Sequence, residues 1–272
     1  MTYLVYPNSQ SNFSLAPRVS IDCMFGRTKK GTSKKRVKSI QVVDMHCRIM
    51  SDLLSENGDD AVQSWRIFRI MSEFVDGFEL LRKYGTAATF FGSARSKPGD
   101  VHFEAAKELS GLLAKSGFSI ITGGGHGIME AANVGAYNAG GQSVGLNISI
   151  PLEQKLNPYV TDSKTFHFFF SRKVMLAFAA EVYIYFPGGF GTLDELFEIL
   201  TLVQTKKISP VPIILYNKKF WEPLIDVLTE KIYEEEHMVD KDDLKLFTVV
   251  DSVKEAYAYI TKNVDPCAPR QI

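Results

Sequence analysis

The chain has few cysteines, no net charge and no long apolar run. The 272 residues include three cysteines, Cys23, Cys47 and Cys267, which are too widely spaced for a disulfide framework or a C-x-x-C pair. This usage predicts a reducing, cytoplasmic setting. No apolar run approaches the roughly 20 residues of a membrane span, and the N-terminus lacks a signal-peptide pattern, so no membrane partner is expected. The net charge of zero favours no particular partner.

Two common nucleotide-binding fingerprints are also missing. Counted from Gly123 or Gly125, the sixth position of a G-x-G-x-x-G motif is Ile128 or Glu130, and no glycine turn ends in G-K-[ST]. The sequence therefore favours neither a dinucleotide-dependent dehydrogenase nor a P-loop NTPase. The five histidines show no metal-ligand spacing, so neither a metal nor a redox cofactor is expected.

The sequence does contain three glycine turns, each directly after a short β-prone apolar run. In an open parallel sheet such turns line the crevice at the carboxyl edge of the strands, where ligands bind. The runs and their turns are residues 88–91 with Gly92-Ser93-Ala94-Arg95, residues 118–122 with Gly123-Gly124-Gly125-His126-Gly127, and residues 182–186 with Pro187 to Glu195.

The third turn has the composition of a phosphate cradle. Gly188, Gly189 and Gly191 allow backbone N–H groups to approach an anion, Thr192 adds a hydroxyl, and the following helix adds positive partial charge. An alternative interpretation needs no ligand: Thr192 caps the helix and Glu195 completes a capping box.

Alternating strand and helix patterns predict an α/β protein with a Rossmann-like, doubly wound parallel sheet and right-handed crossovers. Residues 85–262 form this predicted domain, and residues 263–272 follow it as a short tail. Residues 41–84 carry apolar positions at helical spacing and are predicted to form a helical extension of two helices.

Residues 1–40 show no periodicity, and positions 27–38 hold seven basic residues in twelve without an acid. We expect a disordered, solvated tail, which this pattern favours over a nucleic-acid contact.

Arg172 and Lys173 stand at the start of a predicted helix, between the second and third turns. Cations at a helix N-terminus oppose the macrodipole, so they stabilise the helix poorly and are better candidates for holding an anion. Glu195, three residues after Thr192, is predicted to lie in the first helical turn beside any bound phosphate. From there it can contact a ribose or stabilise positive charge.

Four ordered motifs resemble the Lonely Guy (LOG) family of cytokinin riboside 5'-monophosphate phosphoribohydrolases. The longer, bacterial-type branch of that family also resembles this chain near Ser64 to Ile70 and Glu73 to Glu79, so the likeness covers roughly residues 60–260. The motifs are Gly92 to Arg95, Gly123 to Asn133, Ser171 to Met175 and Pro187 to Glu195.

The resemblance implies roles for individual residues. Arg172 and Glu195 would be the catalytic pair, with Lys173 beside them, and the turn through Gly188, Gly189, Gly191 and Thr192 would hold the 5'-phosphate. Asp194 replaces a glutamate often found before the catalytic one. Ser93, Gly123, Gly124, Gly125 and Glu153 would complete the substrate site.

The implied reaction is hydrolysis of the N-glycosidic bond of AMP or a cytokinin riboside 5'-monophosphate, giving the free base and ribose 5-phosphate without a cofactor. The resemblance also implies a homodimer or larger homo-oligomer. Family members have been described as lysine decarboxylases as well, but pyridoxal phosphate requires a lysine in a recognisable context, and the chain contains no His-Lys dipeptide. The alternative function is a non-catalytic nucleotide or cofactor carrier on the same fold.

Overall fold

Seven parallel strands form one sheet in the computed structural model, which describes residues 60–150 and 155–266. The spatial order is β4-β3-β2-β1-β5-β6-β7, so the direction of winding reverses between β1 and β5. The strands are β1 Ala87–Phe91, β2 Ser119–Thr122, β3 Ser143–Ile148, β4 Asp162–Phe166, β5 Val182–Tyr185, β6 Ile213–Tyr216 and β7 Thr248–Val250.

Helices cover both faces of the sheet. One face packs against α1, α4, α5 and α6, and the other against α2, α3 and α7. The helices are α1 Asp60–Leu81, α2 Val101–Lys115, α3 Ile128–Asn138, α4 Phe169–Ala177, α5 Phe190–Gln204, α6 Lys218–Asp226 and α7 Val253–Asn263.

Strand β5 shows why the apolar runs form this sheet. Tyr183 and Tyr185 point into one core, while Val182 and Ile184 point into the other. A strand buried on both faces has no polar side, so its sequence reads as a continuous apolar run. The prediction of a doubly wound, Rossmann-like parallel sheet is confirmed.

Two details differ from the sequence prediction. Strand β4 was not predicted, because this edge strand places Ser163 and Thr165 at exposed positions and has no apolar run. The sequence also predicts one helix around Phe220 to Glu234, but the structure divides this segment: α6 contains Pro223, and a π-helical segment, Val227–Glu235, follows it. Proline lacks an N–H donor, which disfavours regular α-helical bonding through that turn.

The predicted extension is described only in part. Its second helix is observed as α1, whereas residues 41–59, the basic segment 1–40 and residues 267–272 lie outside the described part of the chain. No described helix is long and apolar enough to cross a membrane.

The two tryptophans differ in exposure, since Trp65 on α1 is 74% exposed and Trp221 on α6 is 0% exposed. The indole N–H of Trp221 donates a 3.0 Å hydrogen bond to the Tyr216 carbonyl.

Candidate active site

A cavity of about 590 Å³ opens at the carboxyl edge of the sheet, beside the switch point between β1 and β5. Ligands bind at this place in open α/β sheets because the flanking turns diverge there. The turn after β1 and the N-terminus of α5 after β5 both line the cavity, and Gly123 contributes from the turn after β2.

Ser93 joins the three glycine turns through its backbone. Its N–H donates a 3.0 Å hydrogen bond to the carbonyl of Pro187, and its carbonyl accepts one of 3.0 Å from the N–H of Ile128. The Ser93 hydroxyl accepts from the N–H of Arg95 at 3.1 Å. The first turn therefore holds the other two in register around the cavity.

The third turn lines the cavity and does not form a capping box. Helix α5 begins at Phe190 with Gly189 as its N-cap, so Thr192 lies within the first turn and donates its backbone N–H to the Gly189 carbonyl at 3.0 Å. The capping-box interpretation of Thr192 is therefore wrong. Gly189, Gly191 and Thr192 line the cavity at the positive end of the helix dipole.

Gly188 differs from Gly189 and Gly191 in its position relative to the cavity. It does not line the cavity, but a Cβ there would lie 2.1 Å from the Thr192 hydroxyl oxygen. The glycine lets the Thr192 side chain fold against the backbone of the turn. Gly188 therefore shapes the turn through Thr192 without lining the cavity.

Arg172 reaches the cavity from α4. Its Nε donates a 2.7 Å hydrogen bond to the Leu146 carbonyl at the end of β3. A Cβ at Gly123 would lie 2.3 Å from the Arg172 Nη2, so the second turn needs glycine there to leave room for the guanidinium. Burial lowers the pKa of Arg172, and the charge of Glu195 opposes this effect.

Glu195 is a buried carboxylate, 8% exposed, that lines the same cavity. It lies in the second turn of α5, not the first as predicted, because the helix begins before Thr192. Burial raises its pKa from 4.5 to about 7, an effect that Lys173 and Arg172 oppose and that Glu198 and Asp194 reinforce. Its side chain has no hydrogen-bond partner among residues 60–150 and 155–266, so the carboxylate is available to a ligand.

Lys173 lies outside the cavity lining, in contrast to its predicted place in the substrate site. Successive helical residues point about 100° apart, so Arg172 and Lys173 face different neighbours. The Lys173 ammonium lies 2.6 Å from Asp194 and 3.4 Å from Glu198. Burial lowers the pKa of Lys173, but the hydrogen bond to Asp194 and the charges of Glu195 and Glu198 outweigh it and raise the pKa overall.

Gly124 and Gly125 support the second turn without lining the cavity. Their carbonyls accept hydrogen bonds from the buried Asn157 amide at 3.1 and 2.9 Å, and Asn157 also donates to the Asn133 side chain at 2.9 Å. Gly124 has a φ of +70°, which favours glycine. Glu153 lies outside the described residues, so its predicted contact stays a prediction.

The structure adds cavity residues that sequence reasoning did not select. Arg95 places a second cation at the cavity, and its position in a glycine turn after a strand was the available signal. The apolar lining comes from Phe91, Met129, Phe169, Leu176 and Phe190, the last of which is 92% exposed. Met129 and Phe190 lie within two of the named motifs, but an apolar side chain by itself does not distinguish a cavity position from a core position.

Fold and site together define a Rossmann-like α/β protein with a glycine-turn cradle, an arginine and a buried carboxylate at its switch point. A family model described as "Possible lysine decarboxylase" matches residues 129–260. Over these residues, just under half of its length, the chain is similar to that family.

Curated relatives carry phosphoribohydrolase names. The cytokinin riboside 5'-monophosphate phosphoribohydrolase LOG of Oryza sativa subsp. japonica is 28% identical over 156 residues, which span 56% of this chain and 63% of the rice protein. The enzyme of that name from Rhodococcoides fascians is 25% identical over 154 residues, 54% of this chain and 76% of its own length.

One matching solved structure is the molybdenum cofactor carrier protein of Chlamydomonas reinhardtii. It is 21% identical with a TM-score of 0.49, and the match covers 65% of this chain and 97% of that one.

Proposed function

We propose that this chain hydrolyses the N-glycosidic bond of a purine nucleoside 5'-monophosphate, AMP or a cytokinin riboside 5'-monophosphate, to the free base and ribose 5-phosphate. The observation that carries the proposal is Glu195, a buried carboxylate without a hydrogen-bond partner among the described residues, in one cavity with Arg172 and the N-terminus of α5. The names of the curated relatives support the same reaction class.

The cavity suits a nucleotide in size and lining. Its volume of about 590 Å³ falls within the range of small-molecule sites, roughly 300–1,000 Å³. In the proposed pose the 5'-phosphate accepts hydrogen bonds at the start of α5, where Gly191 and Thr192 lie. The ribose would then lie next to Glu195, and the base against the apolar lining of Phe91, Met129 and Leu176.

The chemistry requires negative charge beside the sugar. When the bond between C1' and the base nitrogen breaks, the base leaves with the electron pair and positive charge develops on the ribose. Water adds to C1', and its proton is transferred so that the base leaves neutral. An ionised Glu195 would serve either as the base that takes this proton or as the group that stabilises the charge. Arg172 would orient the sugar or the phosphate, and the charges of Lys173 and Arg172 would together keep Glu195 partly ionised.

The test is a panel of purified nucleotides with chromatographic detection of free base. We expect adenine from AMP or a substituted adenine from its monophosphate, and little base from adenosine, since adenosine cannot occupy the phosphate cradle. Comparable turnover of adenosine would contradict the assigned cradle. Calorimetric binding of every monophosphate without base release would instead support the carrier function.

A further inference from the structure

A carboxylate of helix α1 accepts several hydrogen bonds at the beginning of α4, the helix that carries Arg172. Glu73 on α1 is 6% exposed, and its oxygens accept hydrogen bonds from the backbone N–H groups of His167 at 2.6 Å and Phe168 at 3.3 Å. The Ser171 hydroxyl also donates to Glu73. Three donors within five residues therefore converge on one side chain.

Two further contacts fix the distance between these helices. A Cβ at Gly77, one turn after Glu73, would lie 2.5 Å from the Met175 sulfur, so a larger residue there would have to displace the Met175 side chain. The Arg66 guanidinium lies 5.8 Å from the centre of the Phe168 ring. Residues 66, 73 and 77 share one face of α1 at helical spacing, and this face sets the position of α4.

Glu73 also supplies charge where α4 needs it. Phe168, the N-cap residue of α4, has no side chain that can accept a hydrogen bond, and Arg172 adds positive charge in the first turn, against the helix dipole. A carboxylate at this end supplies the acceptor that Phe168 lacks and offsets the positive charge of Arg172. Ser171, its hydroxyl bound to Glu73, directly precedes Arg172 in the chain.

We propose that Glu73 is a positioning residue for Arg172: it fixes the first turn of α4 so that the guanidinium reaches the Leu146 carbonyl and the cavity. This inference rests on the proposed function, in which Arg172 contacts the nucleotide. Glu73 itself does not line the cavity and acts only through α4.

The experiment compares Glu73→Gln and Ser171→Ala with the control Asp76→Asn in the full chain. Glutamine keeps one acceptor oxygen but removes the charge and places an NH₂ group against donors. Asp76 is a carboxylate of the same helix that pairs with Lys164 on β4 and has no hydrogen bond to α4. We expect kcat on AMP to fall about tenfold to a hundredfold in Glu73→Gln, less in Ser171→Ala, and within twofold of wild type in Asp76→Asn.

A double-mutant cycle with Arg172→Ala separates positioning from general stability. If Glu73 acts through Arg172, adding Glu73→Gln to Arg172→Ala causes no further loss of AMP affinity, measured by calorimetry. Additive losses in the cycle would overturn the proposal.

The pH profile gives a second readout that a merely structural role leaves unmoved. Glu195 faces Lys173 and Arg172 as cations and Asp194 and Glu198 as anions, with Tyr185 also close by. A displaced Arg172 no longer lowers the pKa of Glu195, so the acid limb of kcat/KM moves to higher pH in Glu73→Gln. The limb stays in place in Asp76→Asn.

Each outcome decides the matter. A wild-type kcat in Glu73→Gln, or equal losses in Glu73→Gln and Asp76→Asn, overturns the inference while the proposed function stands. If Glu73→Gln does not fold, Ser171→Ala decides, and an unchanged kcat there overturns it. If wild-type protein binds AMP but releases no base, the proposed function has failed, and the binding cycle alone decides on Glu73.

Discussion

At the scale of single residues, the site pairs an arginine with a carboxylate whose burial keeps it partly protonated near neutral pH. In Glu195→Gln the shape and hydrogen-bonding capacity remain but the charge is lost. We expect turnover of AMP to fall by about 10²–10³-fold or more while AMP binding, measured by calorimetry, survives. Arg172→Ala should also abolish turnover and weaken binding.

Thr192→Val is the matched comparison, because it removes the proposed phosphate contact, which would be equal in the ground and transition states. Steady-state kinetics should show mainly a raised KM. Wild-type turnover in Glu195→Gln would contradict the catalytic role assigned to Glu195 and leave it as a packing residue.

The raised pKa of Glu195 has a consequence for stability. Because the folded-state pKa of about 7 exceeds the ordinary 4.5, the folded chain retains a proton that the unfolded chain releases between these pH values. The free energy of unfolding therefore falls as pH rises through this window, and the full penalty is present above it. Glu195→Gln removes this penalty. The melting temperature of the variant should therefore rise relative to that of wild type from pH 5 to pH 8.

The exposed Glu79→Gln on α1 is the control for that melting series and should track wild type at each pH. A difference between Glu195→Gln and wild type that is independent of pH would contradict the assigned pKa. The proposed function has a catalytic counterpart: kcat/KM for AMP should rise with pH through about 7, since the role proposed for Glu195 requires its ionised form.

A substitution at Gly123 tests whether the Arg172 guanidinium needs the space that a Cβ would fill. Its missing Cβ is what lets the Arg172 Nη2 lie over the turn, and its φ is not in the positive region, so alanine does not strain the backbone. Gly123→Ala should displace the guanidinium and lower kcat on AMP at least tenfold, roughly the effect of a misplacement near 1 Å. Gly85→Ala, where a Cβ has nothing within 4 Å, should keep wild-type kinetics.

At the scale of elements, the second glycine turn depends on a buried amide network. Asn157 bonds the carbonyls of Gly124 and Gly125, and the Asn133 side chain accepts from both Asn157 and Thr122. Asn157→Ala leaves the Gly125 carbonyl without this buried donor, at a cost of about 1–3 kcal/mol in the free energy of unfolding. Urea denaturation measures this cost, and exposed Asn138→Ala should change it by less than about 0.5 kcal/mol.

Asn157 also explains what the sequence could predict about these elements and what it could not. Strands β1, β2 and β5 follow from apolar runs that both cores bury, and their glycine turns follow from local spacing. The Asn157 contacts join positions about 24–33 residues apart, so no local pattern reveals them. Strand β4 was missed for a related reason: an edge strand needs few apolar residues.

The site was predictable to a similar extent. Arg172, Glu195, Gly123 and Thr192 line one cavity, as their motifs suggested. The direction in which Lys173 points depends on where α4 begins, and the N-cap of α5 depends on the turn before it. Sequence spacing gave those helix starts only to within a few residues, which is enough to change the neighbour that a side chain meets.

At the scale of the whole molecule, α1 exposes a set of large apolar side chains. Trp65 and Phe68 stack edge to face at a centroid distance of 6.1 Å, and both are largely exposed. The other members of this set are Ile67, Met71 and Val75. Exposed apolar groups of this size favour association, in line with the homo-oligomer that the family resemblance implies.

We predict that light scattering at micromolar concentration gives a mass of at least twice 30.4 kDa. Phe68→Glu should lower the apparent association constant by placing charge in this apolar set. Lys83→Glu, an exposed change beyond the end of α1, is the control and should keep the wild-type mass. A 30.4 kDa species alone, at every concentration tested, would contradict the prediction.

The contrast between Trp65 and Trp221 has a spectroscopic consequence. The sequence contains two tryptophans, of which Trp65 is largely exposed and Trp221 is fully buried in the core. Native emission should therefore contain a red component quenched by acrylamide and a blue component that resists it. Subunit association would shield only the red component, whereas unfolding would shift the blue one, so one fluorescence titration separates the two events without an added label.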